Sequence, residues 1–340
     1  MRNIRALKGD IYVLSESFNI GNLTIKNRLI AAPMAGISDL PFRSLCYQFG
    51  AGLAFSEMFL ANAQVWHTTQ SQQKMASKEE LGIKAVQIVG SDPDEMAKTA
   101  ELNALHGAEL IDINMGCPAK KVNKKLAGSS LLQYPELVEQ ILLNVVQAVN
   151  IPVTLKIRTG WDKAHKNCIE IAQIAQKCGI KAVTIHGRTR ECLFRGSAEY
   201  DSIKQVKQYI TIPVIANGDI TSPEKAKEVF QYTKADAIML GRAAQGRPWI
   251  FEEIAFYLKY GKLKSEKSND ELRQIVLPHI EALHRFYGEK KGLLIARKHV
   301  FWYTKHYVNS DQFRRLFSEI NDAKQQIDAL EAFFHKTTVN

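Results

Sequence analysis

Nowhere in the chain do apolar residues run for the roughly 20 positions that a membrane-crossing helix needs. The first residues carry charges where a secretory leader would hold its apolar core, so a cytoplasmic protein without membrane attachment is expected. Cysteine is sparse. Cys46, Cys117, Cys168, Cys178 and Cys192 form no CxxC pair and no cluster with histidine at metal-ligand spacing, which excludes a disulfide framework and argues against structural zinc; no metal is expected. No GxGxxG turn follows any apolar run, so the usual dinucleotide grip of a doubly wound sheet is missing. Acidic residues are outnumbered, 35 against 45 Lys and Arg, for a net charge of +10 and a pI near 9.2. That balance points to an anionic partner, nucleic acid or a membrane surface, with an inert basic surface as the plain alternative.

What the chain does have is rhythm. Apolar, β-branched runs recur at 29–32, 53–56, 85–88, 110–114, 153–157, 182–186, 214–217 and 237–240. Amphipathic stretches with helical spacing (93–106, 135–149, 169–177, 223–232) lie between most of them. Runs this continuously apolar belong to strands buried on both faces, so the pattern predicts a parallel (β/α)8 TIM barrel, with an open doubly wound α/β sheet as the alternative. Ahead of it, alternation around Gly21-Asn22 predicts a hairpin over 18–25 that closes the bottom of the barrel. After Gly261 a lysine-rich linker, 262–269, leads to helices without intervening strands at 270–287, 293–307 and 311–334. The expected division is therefore an N-terminal extension (1–17), a barrel (18–261) and a small C-terminal all-helical domain (262–340).

The ends of the runs carry the chemistry. In order they read Pro33-Met34-Ala35, Glu57, Gln87, Asn114 with Cys117, Lys156 with Arg158, His186, Asn217-Gly218-Asp219 and Gly241-Arg242. Each taken alone has a plain reading: Gln87 as a helix cap, His186 as a satisfied buried imidazole, Asn217-Gly218-Asp219 as a turn. Together they describe one mouth. Lys156, His186 and Gln87 supply hydrogen bonds for the edge of a flat heterocycle, and residues 33–35 supply an apolar surface to stack on. The loops after the seventh and eighth runs sit where barrels commonly bind phosphate, with glycine admitting backbone N–H groups and Arg242 supplying charge. A ring over the mouth and a phosphate at the last two strands describe FMN.

The motifs Ala32-Pro33-Met34-Ala35-Gly36, Asp112-Ile113-Asn114-Met115-Gly116-Cys117-Pro118, Lys156-Ile157-Arg158-Thr159-Gly160, His186-Gly187-Arg188-Thr189-Arg190, Asn217-Gly218-Asp219-Ile220 and Gly241-Arg242 resemble those of the tRNA-dihydrouridine synthases, most closely the bacterial B-type branch. The resemblance runs from about residue 18 to the C-terminus, and its specific part is the Asn-Met-Gly-Cys-Pro element. It implies that Pro33, Met34, Ala35, Gln87, Lys156, His186, Asn217, Gly218, Asp219, Gly241 and Arg242 hold FMN. It places Cys117 on the catalytic acid and Asn114, Arg158 and Arg188 near the tRNA substrate. The reaction it implies is reduction of FMN by NADPH (or NADH), hydride transfer to C6 of a D-loop uridine, and protonation of C5 by Cys117. A thiol suits that task, being protonated at neutral pH yet a ready donor. The small-residue reading, a buried filler, is the expectation for Cys46, Cys168 and Cys178. An FMN-dependent ene-reductase or dehydrogenase of a small molecule is the alternative activity, and a monomer is the working expectation.

Two groups of cations suit an RNA partner. Lys120, Lys121, Lys124 and Lys125 follow the cysteine loop, and Arg188, Arg190 and Arg195 follow the sixth run. In the helical segment Arg285, Lys290, Lys291, Arg297, Lys298, His299, Lys305, His306, Arg314 and Arg315 interleave with aromatics, most of which are read as core. On this reading the flavin site is independent of everything after residue 260.

Overall fold

The computed structural model describes residues 16–123, 126–308 and 310–336. Eight parallel strand positions follow one another around a barrel: Leu29–Ala31, Leu53–Ala54 continued by Phe59–Leu60, Ala85–Val89, Leu110–Met115, Val153–Arg158, Val183–His186, Val214–Asn217 and Ala237–Leu240. The last strand pairs with the first through Ile238 and Leu29, and a parallel bridge between Phe55 and Ala85 joins the second to the third. The fourth and fifth strands are buried along their whole length, as expected when side chains fill the barrel on one face and pack under helices on the other.

The second strand departs from the uninterrupted run read at 53–56. It breaks after Ala54 and resumes at Phe59. Side chains compete with the ladder there: Ser56 Oγ accepts the Gln87 N–H at 3.2 Å, and the Glu57 carboxylate accepts the N–H of Gly36.

Helices connect the strands where their start signals lie. Asp39, Asp92 and Ser222 accept the backbone N–H three residues on, with proline in the first turn of each helix that follows. The hairpin pairs Phe18–Ile20 with Leu23–Ile25 across Gly21, whose φ is +59°. Its Ile20 and Ile25 cluster with Ile30, Leu53, Leu110 and Ala237, closing the barrel at the amino ends of its strands.

Past Gly261 the chain forms helices Asn269–Tyr287, Glu289–Thr304, Ser310–Glu319 and Ala323–Lys336. The single helix read at 311–334 is thus two, because Asp322 Oδ1 takes the Gln325 N–H at 2.8 Å and starts a new one. These helices bury their own core, including Val276, Leu283, Val300, Phe317 and Leu330. They meet the barrel where the rings of His279 and His299 lie 6.3 and 6.1 Å from that of Phe42. No described helix is long and apolar enough to cross a membrane.

Gly246 lies against the second of these helices. Its φ is +70°, and a Cβ there would stand 2.6 Å from the backbone of Trp302. Gly246→Ala should therefore cost at least ~2 kcal/mol, combining left-handed strain with overpacking. A thermal melt within a degree of wild type would show that the two segments separate freely at this point.

Candidate active site at the carboxyl ends of the barrel strands

A cavity of about 1450 Å³ opens at the carboxyl ends of the strands. Every site residue expected from the sequence lines it except Arg188. Its apolar side is the turn after the first strand. There Met34 donates to Ser38 Oγ and accepts from the N–H groups of Ile37 and Ser38, so its own N–H and carbonyl are satisfied within the turn, and residues 33–35 line the cavity.

The cysteine loop is held from both sides. Asn114 Oδ1 accepts the N–H of Gly116 (3.1 Å) and of Cys117 (2.9 Å), while the Cys117 carbonyl accepts the Ser129 hydroxyl at 2.9 Å. Asn114 is itself oriented. Its Nδ2 donates to Gln87 Oε1 at 2.7 Å, and Gln87 Nε2 donates at 2.6 Å to Asp112, whose other oxygen accepts the Thr154 hydroxyl at 2.7 Å. Asp112 is fully buried, and burial pushes its carboxyl up from the ordinary range. It belongs to the functional network although the sequence reading gave it no role. The available signal was its spacing: two residues before Asn114 on a strand, it shares Asn114's face.

The cations begin on the neighbouring strand, where Lys156 is the register partner of Asn114. Lys156 Nζ donates to Asn217 Oδ1 at 3.0 Å, and Asn217 Nδ2 donates to the Met239 carbonyl at 2.8 Å, fixing the amide that fixes the lysine. Burial draws the Lys156 ammonium below its ordinary range, with Asp112 opposing. His186 is driven down to about 2 by burial and by Lys156, Arg158, Arg188 and Arg242 around it. It is therefore a neutral ring. Arg188 Nη1, which can only donate, lies 3.3 Å from His186 Nε2, so the ring proton sits on Nδ1.

Arg188 is 4% exposed and does not line the cavity. Its guanidinium grips both oxygens of Asp219, at 2.9 and 2.6 Å, and the Gly196 carbonyl. Asp219 also accepts the Ala198 N–H at 2.8 Å and meets Arg242 at 3.2 Å. Both residues thus order the loops around the mouth; Asp219 also lines the cavity, and Arg188 does not. Arg158 is likewise engaged, donating to the carbonyls of Gly116, Thr189 and Leu193. It remains on the cavity wall and ties the cysteine loop to the loop after the sixth strand.

That loop carries an aromatic that the sequence reading passed over. Phe194 is 51% exposed and lines the cavity, with Arg158 5.3 Å and Arg242 4.8 Å from its ring centre. The signal was a lone pair of apolar residues, Leu193-Phe194, between arginines. The cavity continues past Trp249 to Tyr303, Lys305 and His306, so the C-terminal helices form part of its wall.

Of the cations assigned to RNA, Lys120, Arg195, Arg285, Lys290, Lys291, Lys305, His306 and Arg315 are exposed. Lys124 and Lys125 lie outside the described residues, as does the side chain of Lys121. His299 is 1% exposed and, with burial as the main cause, held well below the ordinary imidazole range; it is core. Arg297 and Arg314 are committed to Asn321 and to Ser310. The cysteines at 46, 168 and 178 are buried on helices or at their ends, as expected.

The family model for dihydrouridine synthases matches residues 29–338. Proteins named tRNA-dihydrouridine synthase B from Salmonella typhimurium and from Escherichia coli K12 are each 61% identical over 315 residues, covering 93% of this chain and 98% of their own. One of the same name from Serratia marcescens is 60% identical over 320 residues, covering 94% of this chain and 96% of its own. Among solved structures, a variant of NCR from Zymomonas mobilis aligns with a TM-score of 0.53 at 17% identity, over 75% of this chain and 93% of that one, a likeness of fold.

Asp219→Asn would leave the Arg188 guanidinium, whose side chain is 3% exposed, without its counter-charge. Because Asp219 is partly solvated, the expected loss is roughly 2–3 kcal/mol, at the low end for a broken buried pair. Urea denaturation measures it, and an unchanged midpoint would mean that another acceptor carries Arg188.

Proposed function

This chain belongs to the dihydrouridine synthase family, and from that membership we propose that it reduces a D-loop uridine of tRNA to 5,6-dihydrouridine, with FMN as resident cofactor and NADPH or NADH as reductant. The observation that carries the reading is one cavity lined by a thiol whose backbone is held in place, a lysine, a neutral histidine and arginines. The family match runs through the C-terminal helices to residue 338, which favours a macromolecular substrate over the small molecule of the alternative. The division into an extension (1–17), a barrel (18–261) and a helical tRNA-binding domain (262–340) is part of the proposal.

The residues fit FMN. The cations around His186 exceed the acids facing them, which suits an anionic ligand, and Gly218 lies at φ +122° where a Cβ would strike Ala198 at 2.8 Å. Residues 33–35 would carry the ring, Gln87, Lys156, His186 and Asn217 its polar edge, and Gly218, Gly241 and Arg242 the phosphate, with Asp219 ordering Arg242. Bound FMN would supply hydride to C6 of uracil, recharged by the nicotinamide. Cys117 then gives its proton to C5, and Asn114, through two backbone hydrogen bonds, sets where that thiol stands. Lys156 places positive charge where negative charge gathers on the ring edge. Arg158 holds the cysteine loop against the loop of Phe194.

Two measurements test this. Purified protein loaded with FMN and reduced by NADPH under anaerobic conditions should regain oxidised flavin absorbance on addition of unmodified tRNA. Cys117→Ala should be reduced normally but reoxidised by tRNA at least ~100-fold more slowly, the scale of a lost general acid. Near-normal reoxidation in the variant would remove Cys117 from the acid's role, and a wild type that ignores tRNA would favour the small-molecule reductase.

The second is a pH profile. Burial lowers the Lys156 transition, so its charge is lost as pH rises, starting below the ordinary lysine range. FMN affinity should weaken through that transition, and Lys156→Arg, which stays charged, should flatten the profile. A pH-independent affinity in wild type would show that Lys156 charge does not hold the cofactor.

A further inference from the structure

We propose that Lys298 and Tyr287 of the C-terminal helices are positioning residues for the flavin site, so that cofactor binding and the docking of those helices on the barrel are coupled. The inference rests on reading residues 33–35 as the flavin surface. The turn that presents them is gripped at its far side by the helices rather than by the barrel alone. Gly36, at φ +73°, gives its N–H to the Glu57 carboxylate, while its carbonyl accepts from the Lys298 ammonium on helix Glu289–Thr304. A Cβ on Gly36 would stand 3.5 Å from Lys298 Nζ, so the lysine lies directly over that peptide. Three residues on, Asp39 accepts the Tyr287 hydroxyl, on helix Asn269–Tyr287, at 3.0 Å.

The charges explain why this is a built contact. Asp39 is 2% and Glu57 8% exposed, and both face Lys298 closely enough to favour its charged form against burial. Arg43, the other cation at the turn, is paired with Glu80 and donates to the Ser38 carbonyl. Removing Lys298 therefore frees the Gly36 carbonyl and takes away the cation that two buried carboxylates share. The turn, not the flavin, would register the loss first. Because coupling between sites is reciprocal, whatever holds the turn for the flavin must be held more firmly once the flavin is bound. The earlier reading, in which the flavin site ignores everything after residue 260, is revised accordingly.

The test uses the full-length apoprotein titrated with FMN, followed by quenching of flavin fluorescence, with circular dichroism to verify folding. Lys298→Met should raise the FMN Kd by about tenfold or more, the scale of a lost charge-assisted hydrogen bond. Tyr287→Phe, which removes one hydroxyl and is the gentler change, should raise it in the same direction by a smaller factor. In wild type, FMN should slow amide hydrogen exchange in 269–304, and in Lys298→Met that slowing should shrink, which a merely structural lysine would not produce. Folded Lys298→Met and Tyr287→Phe with wild-type Kd values, or exchange in 269–304 that FMN leaves unchanged in wild type, would overturn the coupling. A wild type that takes up no FMN would instead sink the flavin reading itself and the coupling with it.

Discussion

A buried carboxylate with no cation bonded to it has to be satisfied by hydrogen bonds, and at Asp112 that requirement organises the catalytic end of the barrel. Its two oxygens take Thr154 from the fifth strand and Gln87 from the third. With its NH2 group donating there, Gln87 can only turn its oxygen toward Asn114, which leaves Asn114's oxygen for the backbone of Gly116 and Cys117. The direction of each amide is dictated by the one before it. A loop that would otherwise be mobile thus inherits the rigidity of three strands.

The cations obey a different constraint. Lys156, Arg158, Arg188 and Arg242 all raise the potential at His186, and the fold limits the cost by assigning each a place. Arg188 is tied to Asp219, Arg158 to three carbonyls, and Lys156 to an amide oxygen. Arg242 is the most solvated of them, its side chain 54% exposed and its contact with Asp219 the longest at 3.2 Å. It is the cation freest to move toward a phosphate, whereas Arg188 is spent in holding Asp219 for it.

How much of this could be read from the chain follows from the range of the forces involved. Strands such as Leu110–Met115 were legible because burial on both faces leaves a continuous apolar run, and helix starts because Asp92-Pro93 and Ser222-Pro223 are local chemistry. The ring of polar strand ends was legible for the same reason: a barrel converts position along a strand into position around a mouth. What stayed hidden depended on partners far away in sequence. That Arg188 is held by Asp219, 31 residues on, shows only in the fold. His299 sits among arginines and lysines in the sequence, yet in space it sits among Phe42, His279 and Trp302. Lys298, one residue earlier, reaches Gly36 across 262 positions.

That last contact bears on how a base buried in folded RNA is reached. Drawing a nucleotide out of its stack costs a few kcal/mol, which must be offset by contacts elsewhere on the RNA. In the proposed reaction those contacts fall on the helices, where Lys290, Lys291 and Arg315 remain exposed and Lys305 and His306 stand on the cavity wall itself. The same helices hold the turn on which the flavin would rest. Energy from RNA contact there would have a short mechanical route to the reacting centre: through helix Glu289–Thr304 to Gly36, and from Gly36 to the apolar surface beside it. A barrel closed by its own loops would have to hold cofactor and substrate independently. In the proposed reaction one wall would serve both, and the alignment of flavin, base and thiol would depend on how well the helices are seated.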